Sequence, residues 1–435
     1  MGRHPAKLIS DQFWKIISNR KLIGAGSLAV SDMAGKAAGF IILPYLANRM
    51  NPDQFGRLTI YLSVIQILTV VIGLGGAALI TVEYIRNGYT SARRLRATNL
   101  KLAAWISVAL IVVAQIVSWS VPTALPAATG LLIVAVSCVQ AINVIELAYY
   151  RGAQIYSIAI AGQYAFAVLN VLVTFLAFEL DSPTVANRLL SIALAGGVVQ
   201  TAYALELRRK SYEHADRVAR QANTSLIIRF GLSIFPHVAS GWIRWNVDRF
   251  AVAGFLGVAA TGVYGVAVML ATAPTMLFSA ISNQLQPFLY QRLKDRDFPG
   301  FQMVQVSLTV MVLVFTIGYF GLLNFFFNSL FASEYDGAKS LLPALLGGAA
   351  AQAIFTIFSF AVFYERRGRS ISWLSGSALL VHIAGLCGLA LLSRITLHNV
   401  ALVFLVSNTV AMLGMAWLSQ RLIVQLRLAP EGTPN

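Results

Sequence analysis

Charge is what this chain lacks. Only 11% of its 435 residues are Asp, Glu, Lys or Arg, against about 25% in soluble domains. Acidic residues are the scarcer sign, 17 against 33 Lys and Arg. With 57% hydrophobic residues, a water-soluble domain would have to leave large apolar patches exposed. Cysteine is nearly missing as well. The two present, Cys138 and Cys387, lie inside apolar runs, which argues against a disulfide framework or a cysteine metal cluster. No Walker sequence, HExxH or paired CxxC occurs, so an ATP-driven pump within the chain has no motif to rest on.

What the chain has instead is a succession of apolar runs, each long enough to cross a bilayer as a helix that satisfies its own backbone hydrogen bonds. Twelve spans are expected, at about 22–47, 58–80, 98–118, 127–150, 157–178, 187–206, 226–250, 263–286, 303–327, 341–363, 372–392 and 397–420. The first is expected to be a retained helix, since no convincing small-residue cleavage site follows it. The fold class is therefore an all-α integral membrane protein. The longest polar stretch, 207–225, contains RRKSYEHADRVARQ and falls near the midpoint. It divides the spans into a six-helix lobe at 22–206 and another at 226–420, between a basic tail at 1–21 and a short tail at 421–435. Two-half construction is common in secondary transporters, with the substrate route between the halves.

The net charge of +16 does not mark a nucleic-acid binder, because the cations alternate by loop and no basic groove with interleaved aromatics is present. One set of loops and tails holds 24 of the 33 Lys and Arg, among them Arg93, Arg94, Arg96, Arg208, Arg209, Arg292 and Arg366. The opposite set holds Arg49, Arg57, Arg188, Lys339 and Arg394. Positive charge stays on the cytoplasmic side, which places both termini there and requires an even number of spans.

Ionisable residues within a span are costly and generally face a bundle interior or a wet cavity. Span one carries Asp32 and Lys36, one turn apart. Span seven carries Arg229, Ser233, His237, Arg244 and Asp248 at steps that place them along one stripe, with Trp245 and Arg249 beside it and Pro236 within it. Arginine presents several fixed donors and matches phosphate oxygens, so such a stripe suits anion handling. Lys36 would add a movable charge, and Asp248 is expected to orient or neutralise Arg244. Structural pairing, lipid anchoring and a neutral core histidine are the competing readings. Gln140, Asn143, Gln163, Asn170, Gln200 and Gln352 either line a passage for sugar hydroxyls or bond helix to helix. Glu146 and Glu83 read as interface anchors. No Ser, His and acid arrangement stands out, and the outer loops are short, so transport fits better than catalysis.

Weak internal symmetry is also visible. NPDQFGRLTIYLSV follows span one and GVAATGVYGVAVML follows span seven, with Gly56 matching Gly262.

The segment FGLSIFPHVASGWIRWNVDRFAVAGFLGVAATGVYGVAVMLATAPTMLFSAISNQLQPFLYQRL resembles the polysaccharide biosynthesis flippases, the O-antigen translocases. The likeness rests on Phe230-Gly231, Pro236-His237, Trp242, Asp248-Arg249, Leu256-Gly257, Gly262-x-Tyr264 and Pro287. It extends to LANRMNPDQFG, to the GLGGA of Gly73 to Ala77, and to SEYDGAKSLLPAL. The resemblance implies two six-helix lobes around a central cavity, and movement of undecaprenyl-pyrophosphate-linked glycans from the inner to the outer leaflet of a bacterial inner membrane. No cofactor is implied beyond proton or sodium coupling. The implied partners are the lipid-linked glycan, membrane lipids, and polymerase, chain-length or export proteins. A multidrug-type exporter and a non-transporting component of a glycan assembly complex are the alternatives.

Overall fold

The structure is a computed structural model that describes Ser31 and residues 38–120, 126–153, 155–211, 224–365 and 367–428. Asp32, Lys36, the N-terminal tail, residues 429–435 and most of the midpoint loop lie outside the described residues. The described chain is helical: α1 (38–49), α2 (Pro52–Gly73), α3 (Gly76–Ser120), α4 (Ala127–Gly152), α5 (Tyr156–Leu180), α6 (Val185–Ser211), α7 (Thr224–Leu256), α8 (Val258–Ala271), α9 (Ala273–Lys294), α10 (Phe298–Leu330), α11 (Asp336–Tyr364), α12 (Gly368–Leu391) and α13 (Leu397–Leu428). Ten helical stretches among the described residues are long and apolar enough to span a membrane, and α7 makes an eleventh if its two segments count as one. The protein is a multi-pass, all-α membrane protein. Many outward-facing large side chains are apolar, such as Trp105, Ile317 and Leu380, as lipid contact requires.

The second and third spans differ from the expected boundaries. The second ends at Gly73 rather than near residue 80, and α3 continues through the expected loop to Ser120. Both sides of the break are apolar, so hydropathy does not register it. The turn is made by backbone conformation: Leu74 and Gly75 have φ of 46° and 63°, a region that glycine enters without penalty. In α3, Asn87 donates to Glu83 at 2.7 Å and Ser91 donates to the same carboxylate. These bonds bridge the non-helical Gly88 and hold the Glu83 carboxyl below its ordinary value. The eighth span is likewise split, into α8 and α9 at Thr272, two residues before Pro274.

Contacts group the chain into two compact units. Among the described residues, the first comprises those up to Gly39 and from Val64 to Pro236, and the second those from Phe40 to Ser63 and from His237 onward. The boundary between the units falls after Pro236 within α7, and the second unit takes residues 40–49 of α1 and the first half of α2. In the first unit α3 packs on α4, and α6 on α4 and α5, around Ile145, Tyr149, Tyr150 and Tyr203. There Gly231 of α7 lies against the Leu74 carbonyl, where a Cβ would come within 2.5 Å of the oxygen.

In the second unit α11 is the central helix, touching α8, α9, α10, α12 and α13. Its run LLGGAAAQA is rich in Gly and Ala, which lets neighbouring backbones approach, and Ala349, Ala350, Ala351 and Ala353 are buried. The matched glycines also meet here. A Cβ on Gly56 would sit 2.0 Å from the Val258 carbonyl oxygen, and one on Gly262 would sit 2.0 Å from the Pro52 carbonyl oxygen. Each carbonyl lies four residues before the other glycine, so α2 and α8 cross backbone to backbone in a reciprocal contact.

Candidate functional site

The segment Val238–Leu256 of α7 brings three charges into the interior of the second unit. Arg244, Asp248 and Arg249 are 6%, 3% and 6% exposed. Arg244 donates from Nη2 to Oε1 of Gln352 on α11 at 2.9 Å. Its Nε and Nη1 have no hydrogen-bond partner among the described residues. An unpaired buried donor costs about 1–3 kcal/mol, and more when charged. Trp245 packs edge-on against Phe404 of α13, with ring centroids 5.2 Å apart.

Asp248 does not pair with Arg244, contrary to the expectation from the one-turn spacing. Its Oδ2 accepts from the Tyr264 hydroxyl of α8 at 2.9 Å. Its Oδ1 lies 2.6 Å from Nε2 of His382 on α12. His382 Nδ1 is in turn 2.9 Å from Oγ of Ser407 on α13. All these groups are buried. Arg249 donates from Nη1 to Ser63 Oγ at 2.8 Å and to Asn246 Oδ1 at 3.1 Å, and Trp242 donates to the Ser63 carbonyl at 2.9 Å. Arg249 therefore ties α7 to α2.

The remaining candidates are placed elsewhere or fall outside description. Arg229 lies on the first segment of α7, exposed, within the first unit. Arg229 and Ser233 thus belong to one compact unit and Arg244 and Asp248 to the other. His237 stands at the junction, and its side chain is outside the described residues, as are Asp32 and Lys36 entirely.

The first unit holds a second polar assembly. Gln140 and Asn143 of α4, Gln163 of α5, Gln200 of α6 and Thr69 of α2 line one cavity of about 320 Å³. Gln200 donates to Asn143 Oδ1 at 3.3 Å, while its own Oε1 lacks a partner among the described residues. Four of the six amides singled out in the sequence therefore converge. Asn170 does not join them. With Thr174 it accepts from Arg188 Nη1, at 2.7 and 2.6 Å. Glu146 is no surface anchor. It is buried and paired with Arg96, whose Nε donates to Oε2 at 2.7 Å and whose Nη2 donates to Oε1. A cavity of about 600 Å³ beside α11 in the second unit is lined mainly by apolar residues of α10, α11 and α13, including Leu313, Ile317 and Met412.

A Ser–His–Asp chain does exist, though none stood out in the sequence. Its members are separated by 134 and 25 positions, and no local spacing links them. A single histidine within span eleven was the available signal. The order of ring nitrogens is the reverse of a hydrolase triad, in which Nε2 serves the serine and Nδ1 the acid. Ser407 is fully buried and donates to the Phe404 carbonyl at 3.1 Å, which leaves a substrate no approach. The arrangement suits holding a proton, not nucleophilic attack.

A sequence profile of the family described as polysaccharide biosynthesis protein matches residues 22–291. A protein of the Lsg locus of Haemophilus influenzae is 21% identical over 385 residues, covering 83% of this chain and 89% of its own. An uncharacterized membrane protein of the same organism is 21% identical over 381 residues, covering 83% and 88%. Among solved structures, an inward-facing multidrug resistance MATE family transporter of the MOP superfamily superposes at a TM-score of 0.70 with 12% identity, over 92% of this chain and 95% of that one. A MOP superfamily transporter from Pyrococcus furiosus superposes at 0.62 with 13% identity, over 93% and 96%. At such identities the structural likeness shows the fold alone. Profile, relatives and fold together place the chain: it belongs to the polysaccharide biosynthesis protein family and has the MOP-type transporter fold.

Proposed function

We propose that the protein is a flippase for undecaprenyl-pyrophosphate-linked oligosaccharides, carrying them from the cytoplasmic to the periplasmic leaflet of a bacterial inner membrane by alternating access, with both termini cytoplasmic. The observation that carries this is Arg244. A guanidinium buried in an apolar span, with Nε and Nη1 unengaged, is costly unless an anion completes it. Pyrophosphate oxygens are suited acceptors, because arginine donors match them in charge and geometry. The amide cavity of the first unit adds groups that exchange hydrogen bonds with sugar hydroxyls.

The fold shared with multidrug exporters does not select a cationic drug as cargo. The Pyrococcus furiosus transporter is itself described by a binding pocket of reverse polarity that suggests a different function. A buried arginine with open donors favours an anionic head here.

The test is leaflet translocation of a fluorescent polyprenyl-pyrophosphate glycan in proteoliposomes, with and without an imposed proton or sodium gradient. Protein-dependent arrival in the opposite leaflet, lost in Arg244→Gln at equal reconstitution, is expected. No movement with a folded protein and a cognate glycan refutes the flippase assignment.

A further inference from the structure

We propose that Asp248, His382 and Ser407 form a buried site that binds and releases one proton through rotation of the Ser407 hydroxyl. The hydrogen-bond inventory leads there. Ser407 has one hydrogen and two acceptors within reach, the Phe404 carbonyl at 3.1 Å and His382 Nδ1 at 2.9 Å. If the hydroxyl donates to Phe404, Nδ1 must carry a proton and donate to Oγ. A second proton must then lie between Nε2 and Asp248 Oδ1, because a bare nitrogen lone pair would not sit 2.6 Å from a carboxylate oxygen. The pair is then neutral overall, as imidazolium and carboxylate or as imidazole and carboxylic acid.

If the hydroxyl instead donates to Nδ1, that nitrogen has lost its proton. His382 is then the Nε2–H tautomer and donates to the Asp248 carboxylate, and the pair carries one negative charge. The N–H bond broken is that of Nδ1, and the proton passes to water when the site is opened to it. Neither state strands a buried group. The Phe404 carbonyl keeps the Asn408 amide as donor at 2.8 Å, and Tyr264 continues to donate to Asp248 Oδ2. A site that gains or loses a proton with every partner satisfied avoids the penalty that normally locks a buried histidine in one form.

The surrounding charges set the direction of the coupling. On α7, Arg249 interacts electrostatically with Asp248 and Arg244 stands one turn away. Tyr264 faces the carboxylate from α8, Ser407 and Asn408 lie on α13, Gln352 of α11 holds Arg244, and Ser63 of α2 holds Arg249. Proton binding raises the charge beside Arg244 by one, so a proton and an anion at Arg244 favour each other. This consequence rests on the anion assignment above; the proton site does not.

The experiment is ¹⁵N NMR of histidine-labelled full-length protein in lipid nanodiscs between pH 5 and 9, with His382→Gln assigning the resonance. One protonation step at His382 is expected. Asp248→Asn removes the counter-charge and should lower the midpoint by about one unit or more. Tyr264→Phe removes a donor to the carboxylate, makes it more basic and should raise the midpoint. A His382 resonance of constant charge and tautomer across the range overturns the site. So do shifts of the same sign in the two variants, and Tyr264→Phe, which keeps the ring, guards against a folding defect in Asp248→Asn. Geranyl pyrophosphate should then raise the wild-type midpoint and leave Arg244→Gln unmoved. An unmoved wild-type midpoint removes the anion from Arg244 while the proton step stands.

Discussion

The first compact unit closes two buried arginines, whereas the second holds Arg249 through Ser63 and Asn246 but leaves Arg244 open. In the first, Arg96 is closed by the Glu146 carboxylate and Arg188 is held by two neutral oxygens from Asn170 and Thr174. In the second, Arg244 has a carboxylate one turn away and does not use it, because Asp248 is engaged by His382 and Tyr264. Arg244 is left with one amide and two open nitrogens. A closed cation serves packing, whereas an open one is available to a ligand. Burial alone does not separate the two cases, since Arg188 and Arg244 are equally exposed; the donor count does.

Removing partners should expose the contrast. Glu146→Ala, which strands Arg96, is expected to cost about 3–5 kcal/mol, read as loss of monodisperse protein on mild heating in detergent. Replacing both residues by apolar ones should restore most of it. Arg188→Met leaves two acceptors unserved and should cost about 1–3 kcal/mol, with transport per folded molecule unchanged. Arg244→Gln should behave in the opposite way. Thermal stability should hold within about 1 kcal/mol, since two unsatisfied donors disappear, while translocation falls about tenfold or more, equivalent to at least 1.4 kcal/mol of lost binding. If Arg244→Gln unfolds the chain as readily as Glu146→Ala, the distinction between the units fails. The smallest effect is expected at the amide cavity. Gln200→Leu should change discrimination between glycans by a few fold, about 0.5–1.5 kcal/mol for one neutral hydrogen bond, measured by competition in the same proteoliposomes.

The sequence exposes much of this, and the parts it hides have a physical cause. Membrane spans are legible because a backbone in lipid must bond within its own helix, which forces long apolar runs. The break at Leu74–Gly75 is hidden because the residues on both sides are apolar and only a positive φ marks it. Arg244 and Asp248 stand out as charges in a span, but their partners do not follow from helical spacing. Asp248 is satisfied by residues from α8 and α12, so the one-turn rule, which holds for isolated helices, loses to tertiary geometry. His382 is a lone histidine in an apolar run and Ser407 one of many buried hydroxyls, and the role of each depends on a helix distant in sequence. The Gly56 and Gly262 match, slight as a pattern of letters, corresponds to a backbone crossing that neither glycine can leave.

The composition of α11 bears on how this protein tolerates change. Its most apolar window is 78% buried, whereas those of α10 and α12 are each 17% buried. In a saturation mutagenesis map, α10 and α12 should accept almost any apolar letter on their lipid faces. The LLGGAAAQA stretch of α11 should accept fewer, above all at Gly348, where a Cβ would come within 2.5 Å of the Phe404 ring. Sequence drift would then accumulate along the rim of the second unit while its axis stands still, leaving Gln352, the residue that holds the Arg244 guanidinium from α7, on the slowest-changing helix of that unit.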